Sequence, residues 1–321
     1  MKPPRIPVMQ RFHHNDFRDA AALVARKNDQ RISVCIPTLN EAETISTIIS
    51  TAREELMERH PLVDEILVID SDSGDGTRET ASRAGATVYR SAEIAPESGS
   101  HAGKGENLWK ALHVCSGNII CYIDGDIANF HPGFITGLVG PLLVKPEVDY
   151  VKAYYKRPLA ECDATHSSGG GRVSEILVRP LISLFYPELG GVLQPLSGEY
   201  AARRSVLEAL PFPTGYGVEI AHLIDLARAG LLHRIAQTDL EKRVHRNRGD
   251  GDLGDTAFAI LRVVLRRLER DGRLTLAAPL PDLHQRWRIC EAAIESISSH
   301  IEEPERPPLA KQAVPATLRH P

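Results

Sequence analysis

Between residues 31 and 155 the chain alternates short apolar runs with amphipathic stretches, and that rhythm leaves few folds open. Runs at 31–37, 65–70, 86–90, 118–123 and 148–155 have the length and the Val/Ile content of buried strands. Between them, helices are expected over about 41–59, up to residue 84, and over about 104–115. Strands that alternate with helices form βαβ units, and these close into a mainly parallel sheet with helices on both faces. The expected class is therefore α/β, with a Rossmann-like sheet flanked by helices. In such sheets ligands collect at the carboxyl ends of the strands, close to the point where strand order reverses.

Three of those ends are polar. The first strand runs into Pro37-Thr38-Leu39-Asn40-Glu41, the second into Asp70-Ser71, and the apolar run 118–123 stops in Asp124-Gly125-Asp126. Two carboxylates one residue apart at a strand tip offer hard oxygen ligands to Mg²⁺ or Mn²⁺. The ion would keep open positions for the oxygens of a diphosphate. Asp-Gly-Asp is also common turn chemistry, and convergence of three polar tips on one edge favours the metal reading. Pro37–Glu41 reads equally well as a helix cap and as a clamp on a nucleobase and ribose. Lys104 opens a helix between Gly103 and Gly105, where its ammonium and the unpaired amides suit a diphosphate; the spacing is not that of a P-loop.

The second half is less regular. Gly169-Gly170-Gly171-Arg172 lets the backbone approach a ligand closely, with helix-start amides, the Arg172 fork and the Ser174 hydroxyl suited to an anionic acceptor. Gly217-Val218-Glu219 places a carboxylate at the start of an apolar helix, as a dipole partner or an acceptor for sugar hydroxyls. His245 follows an expected strand; it reads as a satisfied surface or core histidine or, as a metal ligand, would complement Asp126. Further helices are expected over about 173–186, 255–270 and 284–301, and a mobile proline-bearing tail after Glu302. A net charge of −4 over 321 residues argues against a nucleic-acid partner. Five cysteines with no CxxC pair read as reduced thiols of a cytoplasmic protein, and no apolar run approaches the 18 residues of a membrane span.

Taken in order, Pro-x-Leu-Asn-Glu, Asp-Ser, Gly-Lys-Gly-Glu, Asp-x-Asp, Gly-Gly-Gly-Arg-Val, Gln-Pro-Leu-Ser-Gly-Glu-Tyr, Gly-Tyr-Gly-Val-Glu-Ile and His-Arg-Asn-Arg are a distinctive series. From about residue 31 to 250 the chain resembles the glucosyl-3-phosphoglycerate synthases and their mannosyl relatives, retaining glycosyltransferases of the GT-A fold. The resemblance implies transfer of glucose from UDP-glucose (or GDP-glucose) to the 2-hydroxyl of 3-phosphoglycerate, or the GDP-mannose counterpart, by a front-side mechanism.

It further implies that Pro37, Thr38, Leu39, Glu41 and Ser71 hold the nucleoside and Lys104 the diphosphate or sugar. Asp124 and Gly125 would face the donor, with Tyr216 and Glu219 orienting the hexose. Lys104, Asp124 and Glu219 would carry the catalysis. Asp126 and His245 would bind Mg²⁺ (or Mn²⁺), and Gly171, Arg172, Ser174 and Asn247 would hold 3-phosphoglycerate. A homodimer is implied as well. The family pattern often has Ala where this chain has Thr38, Ser where it has Gly125, and Thr where it has Ser174. The expected organisation is an N-terminal segment (1–30), a nucleotide-sugar-binding domain (31–155), an acceptor-binding region (156–275) and a C-terminal helix and tail (276–321).

Overall fold

A computed structural model describes residues 9–157, 171–244, 250–290 and 293–311. Its strands are β1 (Gln10–His13), β2 (Ile32–Thr38), β3 (Glu65–Asp70), β4 (Thr87–Arg90), β5 (Ile119–Tyr122), β6 (Tyr150–Lys156), β7 (Tyr200–Arg203), β8 (Phe212–Pro213), β9 (Ile235–Lys242), β10 (Leu283–Ile289), β11 (Ile294–His300) and β12 (Glu305–Arg306). The helices are α1 (Ala20–Lys27), α2 (Ile45–Arg53), α3 (Thr77–Ala84), α4 (Lys104–Val114), α5 (Gly133–Val144), α6 (Arg179–Phe185), α7 (Arg204–Glu208), α8 (Val218–Arg228) and α9 (Asp250–Arg270). Eight strands form one sheet in the order β1-β9-β6-β7-β5-β2-β3-β4. Every neighbouring pair is parallel except the two made by β7.

The central strands are apolar on both faces because both faces are covered. β2 sends Ile32, Val34 and Ile36 into one layer with Ile45, Ile48 and Ile49 of α2 and Phe134 and Leu138 of α5. Its Cys35 joins Leu67, Ile69, Ile120 and Tyr122 in the other layer, under Leu108 and Trp109 of α4 and Leu223 and Ile224 of α8. Burying a Leu, Ile or Phe side chain contributes about 1.5–3 kcal/mol, so these two layers fix the sheet. The chain leaves β2 outward to β3 and β4, then returns to β5 on the other side of β2. Strand order therefore reverses between β2 and β5, and Pro37–Glu41 and Asp124–Asp126 flank that crevice.

Two expectations from the sequence are overturned. Residues 284–301 form no helix; β10 and β11 pair antiparallel with Leu283 opposite His300 and Ile289 opposite Ile294. The polar face of this ribbon is what docks: Asp255 of α9 takes His284 Nδ1 at 2.7 Å, Arg286 at 2.6 Å and the Ser299 hydroxyl at 3.0 Å. The stretch after Glu302 is anchored as far as it is described. β12 pairs with β8, Glu303 accepts the amides of Gly215 and Tyr216, and Arg306 forks onto the buried Glu106 at 2.7 and 2.8 Å. Ion pairs and ladder bonds hold it, with Leu309 packed against the core and Arg306 over the Trp109 ring. The sheet also takes strands from outside 31–155, namely β1, β7 and β9. Cys35, Cys115 and Cys121 are buried free thiols, and Cys290 is exposed.

Candidate active site

The strand tips are held by their own side chains. Thr38 and Asp70 are register partners at the ends of β2 and β3, and the Thr38 hydroxyl donates to Asp70 Oδ2 at 2.8 Å. Buried Asp70 also takes the Ser73 amide and Arg78, each bond charge-assisted. Asn40 adopts φ +60°, a left-handed conformation that Asn tolerates. From there it binds the second loop twice, its amide to Ser73 Oγ at 2.8 Å and its Oδ1 to the Gly74 amide at 3.0 Å. The Glu41 amide is bonded to Thr77. Ser71 donates to Asn107, which in turn donates to the Ile69 carbonyl.

Glycines set the approach distances. At Gly105 an added Cβ would lie 1.8 Å from the Pro213 carbonyl oxygen, and at Gly103 2.5 Å from that of Thr214. Only glycine on each side of Lys104 lets α4 start hard against β8. A Cβ at Gly198 would meet Asp124 Oδ2 at 2.2 Å and Lys104 Nζ at 2.3 Å, so the Gly198 backbone backs this ion pair. At Gly125 a Cβ would meet Thr38 Cγ2 at 3.1 Å. Glu41 Cγ lies nearly as close, at 3.2 Å, so Thr38 and Glu41 together crowd the room that a side chain at 125 would need.

The charges interlock. Lys104 Nζ lies 2.5 Å from Asp124 Oδ1 and 3.0 Å from Glu219 Oε1. Burial opposes its charge, yet Asp124 and Glu219 hold its pKa well above the lysine value, so it is a fixed cation. Arg243, at the end of β9 and buried, reaches Asp124 Oδ2 at 3.0 Å, Asp126 Oδ1 at 2.5 Å and Glu199 Oε1 at 2.7 Å. Glu199 also accepts from Tyr155 at 2.6 Å. Burial pushes the Glu199 carboxyl up, and Arg243 beside it pulls it back down. Lys152 and Arg157 also stand close to this cluster, so its buried charges are nearly balanced. Asp124 and Asp126, one residue apart at the strand tip, offer the hard anionic oxygens that fit a divalent cation.

All the expected site residues that the structure describes line one cavity of about 290 Å³. Pro37, Thr38, Leu39, Glu41 and Ser71 come from the ends of β2 and β3, Lys104 from α4, and Asp124, Gly125 and Asp126 from the end of β5. Gly171, Arg172 and Ser174 line the same cavity, with Tyr216 and Glu219 at the start of α8. Gly171 takes φ +89°, Arg172 is exposed and Ser174 is buried. His245 and Asn247 fall outside the described residues. Sequence reasoning missed Arg243, Asn107, Arg157 and the α9 residues Leu253, Thr256 and Ile260, which also line the cavity. Asn107 lies three residues past Lys104 on one helix face, a signal the spacing did offer. Nothing local marks Arg243, whose carboxylate partners Asp124 and Asp126 are 119 and 117 residues away.

A crevice of strand-tip carboxylates and a buried lysine beside a glycine-hinged arginine is the site of a sugar-transferring enzyme, and the model of glycosyl transferase family 2 matches residues 33–208. The chain is 50% identical to the glucosyl-3-phosphoglycerate synthase of Petrotoga mobilis over 93% of this chain and 92% of the relative. Among solved structures it is similar to the mannosyl-3-phosphoglycerate synthase of Rubrobacter xylanophilus, with a TM-score of 0.85, 38% identity and 94% of each chain covered. It is also similar to the Mycobacterium tuberculosis glucosyl-3-phosphoglycerate synthase in complex with Mn²⁺, UDP and phosphoglyceric acid, with a TM-score of 0.82, 37% identity, and 95% and 99% of the chains covered. That mycobacterial enzyme has also been solved with UDP-glucose and phosphoglyceric acid together. The chain belongs to the glucosyl-3-phosphoglycerate synthases within glycosyltransferase family 2.

Proposed function

We propose that this protein moves glucose from UDP-glucose to the 2-hydroxyl of 3-phosphoglycerate, giving glucosyl-3-phosphoglycerate. One observation carries the reading: the strand-tip residues and Gly171–Ser174 share a single cavity, and relatives bind UDP-glucose and phosphoglyceric acid. Pro37, Thr38, Leu39, Glu41 and Ser71 hold the nucleoside. Tyr216 and Glu219 orient the hexose, and Gly171, Arg172, Ser174 and Asn247 hold the acceptor's anionic groups.

Asp126, with His245, would hold Mg²⁺ or Mn²⁺, which neutralises charge on the departing diphosphate. Lys104, kept charged by Asp124 and Glu219, stabilises the same oxygens as negative charge builds there. Asp124 and Glu219 are both ion-paired to Lys104. A retaining, front-side course is what the family resemblance implies. The bond from the anomeric carbon to the β-phosphate oxygen breaks, the acceptor oxygen bonds on the same face, and its proton passes to the leaving diphosphate.

Turnover with UDP-glucose, GDP-glucose and GDP-mannose over 3-phosphoglycerate tests the reading, with NMR of the product reporting its linkage and anomer. UDP-glucose should be the best donor with an α-linked product. A mannosyltransferase is the second reading, favoured by the likeness to the Rubrobacter enzyme; preference for GDP-mannose would establish it.

No helix among the described residues is long and apolar enough to cross a membrane. The buried free thiols support a cytoplasmic setting. A homodimer is supported by the outer face of the β10–β11 ribbon, where Trp287, Ile289 and Ile294 are 71%, 84% and 68% exposed. Light scattering of Trp287→Glu against the parent protein checks that assignment.

A further inference from the structure

We propose that His13, His14 and Glu241, none of which lines the cavity, form a second metal site at the sheet edge, for a borderline divalent ion such as Zn²⁺. β1 lies parallel to β9, with His13 opposite Asp239. Two residues on, Glu241 adopts φ +63° and brings its carboxylate onto the two histidines. His13 Nε2 is 3.3 Å from Glu241 Oε1, and His14 Nε2 is 3.5 Å from the same oxygen. Zn–N and Zn–O bonds of about 2.0–2.1 Å in a tetrahedron put neighbouring ligand atoms roughly 3.4 Å apart. Two of the three edges already have that length, and all three ligand atoms lie within 4.8 Å of one another.

A second observation points the same way. His14 is only 8% exposed, and its buried Nε2 makes no hydrogen bond among the described residues, with the Glu241 carboxylate at ion-pair distance. An imidazole nitrogen left so costs desolvation, and coordination would satisfy it. The ring is fixed in place. It stacks on His13 at 4.7 Å, lies 5.0 Å from the His131 ring, and presses on Gly133, where a Cβ would come within 2.5 Å of His14 Nδ1.

His13 Nδ1 now accepts the Asn15 amide at 3.2 Å. Coordination through Nε2 moves the ring proton to Nδ1 and gives up that long bond, while the bond from the His13 amide to Asp16 at 2.8 Å remains. Two imidazoles and one carboxylate select Zn²⁺ and its neighbours, whereas carboxylate-rich Asp124–Asp126 suits Mg²⁺ or Mn²⁺. An ion here would tie β1 to the end of β9, two residues before Arg243.

The test is a Co²⁺ titration of untagged, EDTA-stripped full-length protein in excess Mg²⁺, read by the visible absorption of tetrahedral Co²⁺, with Zn²⁺ as competitor. One equivalent per chain should produce the bands in the parent protein and in Asp126→Ala alike. Glu241→Gln and His14→Ala should weaken binding at least about tenfold, and Zn²⁺ should raise the melting temperature of the parent but not of Glu241→Gln. Glu241 is an exposed side chain, so its variant should keep the parent's circular dichroism. Absence of the bands, or bands that vanish in Asp126→Ala and persist in Glu241→Gln, would overturn the proposal.

Discussion

On the proposed nucleotide side of the cavity, Thr38, Asn40, Asp70 and Asp124 stand at the ends of buried parallel strands, each bonded to a named neighbour. On the proposed acceptor side, Arg172 is exposed, and the turns that follow it leave Ile176 and Leu184 76% and 73% exposed. One half is preorganised by the sheet, and the other is carried on a segment outside it. The difference teaches where changes should register. Substitutions on the first side should disturb the chemistry, and the fold as well where the side chain is fully buried, and those on the second should change substrate affinity alone.

The largest effect is expected at Asp126. Asp126→Ala should lower turnover by at least about a thousandfold and remove its dependence on Mg²⁺, with unchanged circular dichroism. Retained metal-stimulated UDP release would show that the nucleotide side is organised by something else. Next comes Arg243→Leu, which strands Asp124, Asp126 and Glu199 without their shared cation. Breaking a buried ion pair costs about 3–5 kcal/mol, so chemical denaturation should show a loss of that size. Mn²⁺ should restore part of it by binding the carboxylates that Arg243 leaves behind. A variant as stable as its parent would mean that Arg243 does not bind the two sides of the sheet together.

A smaller effect belongs to His222, buried in α8 between Phe212 and Tyr200 with both ring nitrogens unpartnered among the described residues. Burial, with Arg267 and Lys152 nearby, pushes its pKa down to about 3. The unfolded chain takes up this proton below about pH 6.5 and the folded chain does not, so stability falls as pH drops from 6.5 toward 3. Between pH 7 and 5 that loss is on the order of 2 kcal/mol. His222→Leu should flatten this part of the stability–pH curve; an unchanged slope would show that other groups cause it. The smallest effect tests the Thr38–Gly125 contact. Gly125→Ser alone should raise the KM for UDP-glucose several-fold, and adding Thr38→Ala should return only part of it, because Glu41 Cγ stays 3.2 Å from the new Cβ.

The fold was legible where local pattern and tertiary role coincide. Ile32, Val34 and Ile36 read as a strand because both faces of that strand are buried. The 284–301 stretch misled because Leu283, Trp287, Cys290, Ile294 and Ile297 fall at helical spacing, while the docking is done by His284, Arg286 and Ser299 on Asp255. Apolar periodicity is silent about an element held by its polar face. The anchored tail escaped for the same reason, since Glu303 and Arg306 act as ion-pair and amide partners. In the site, Lys104 and Asp124 could be read from their own neighbourhoods. Arg243 needed the parallel sheet to carry it to β5, and no local spacing encodes that.

The most direct measurement pairs two Michaelis constants on one variant. In Arg172→Ala, the KM for 3-phosphoglycerate should rise by at least about tenfold, in line with about 1.5–3 kcal/mol for a hydrogen bond to a charged group. The KM for UDP-glucose and the Mg²⁺ requirement should stay at parental values. An unchanged acceptor KM, or an equal rise for the donor, would contradict the division of this cavity into a nucleotide side and an acceptor side.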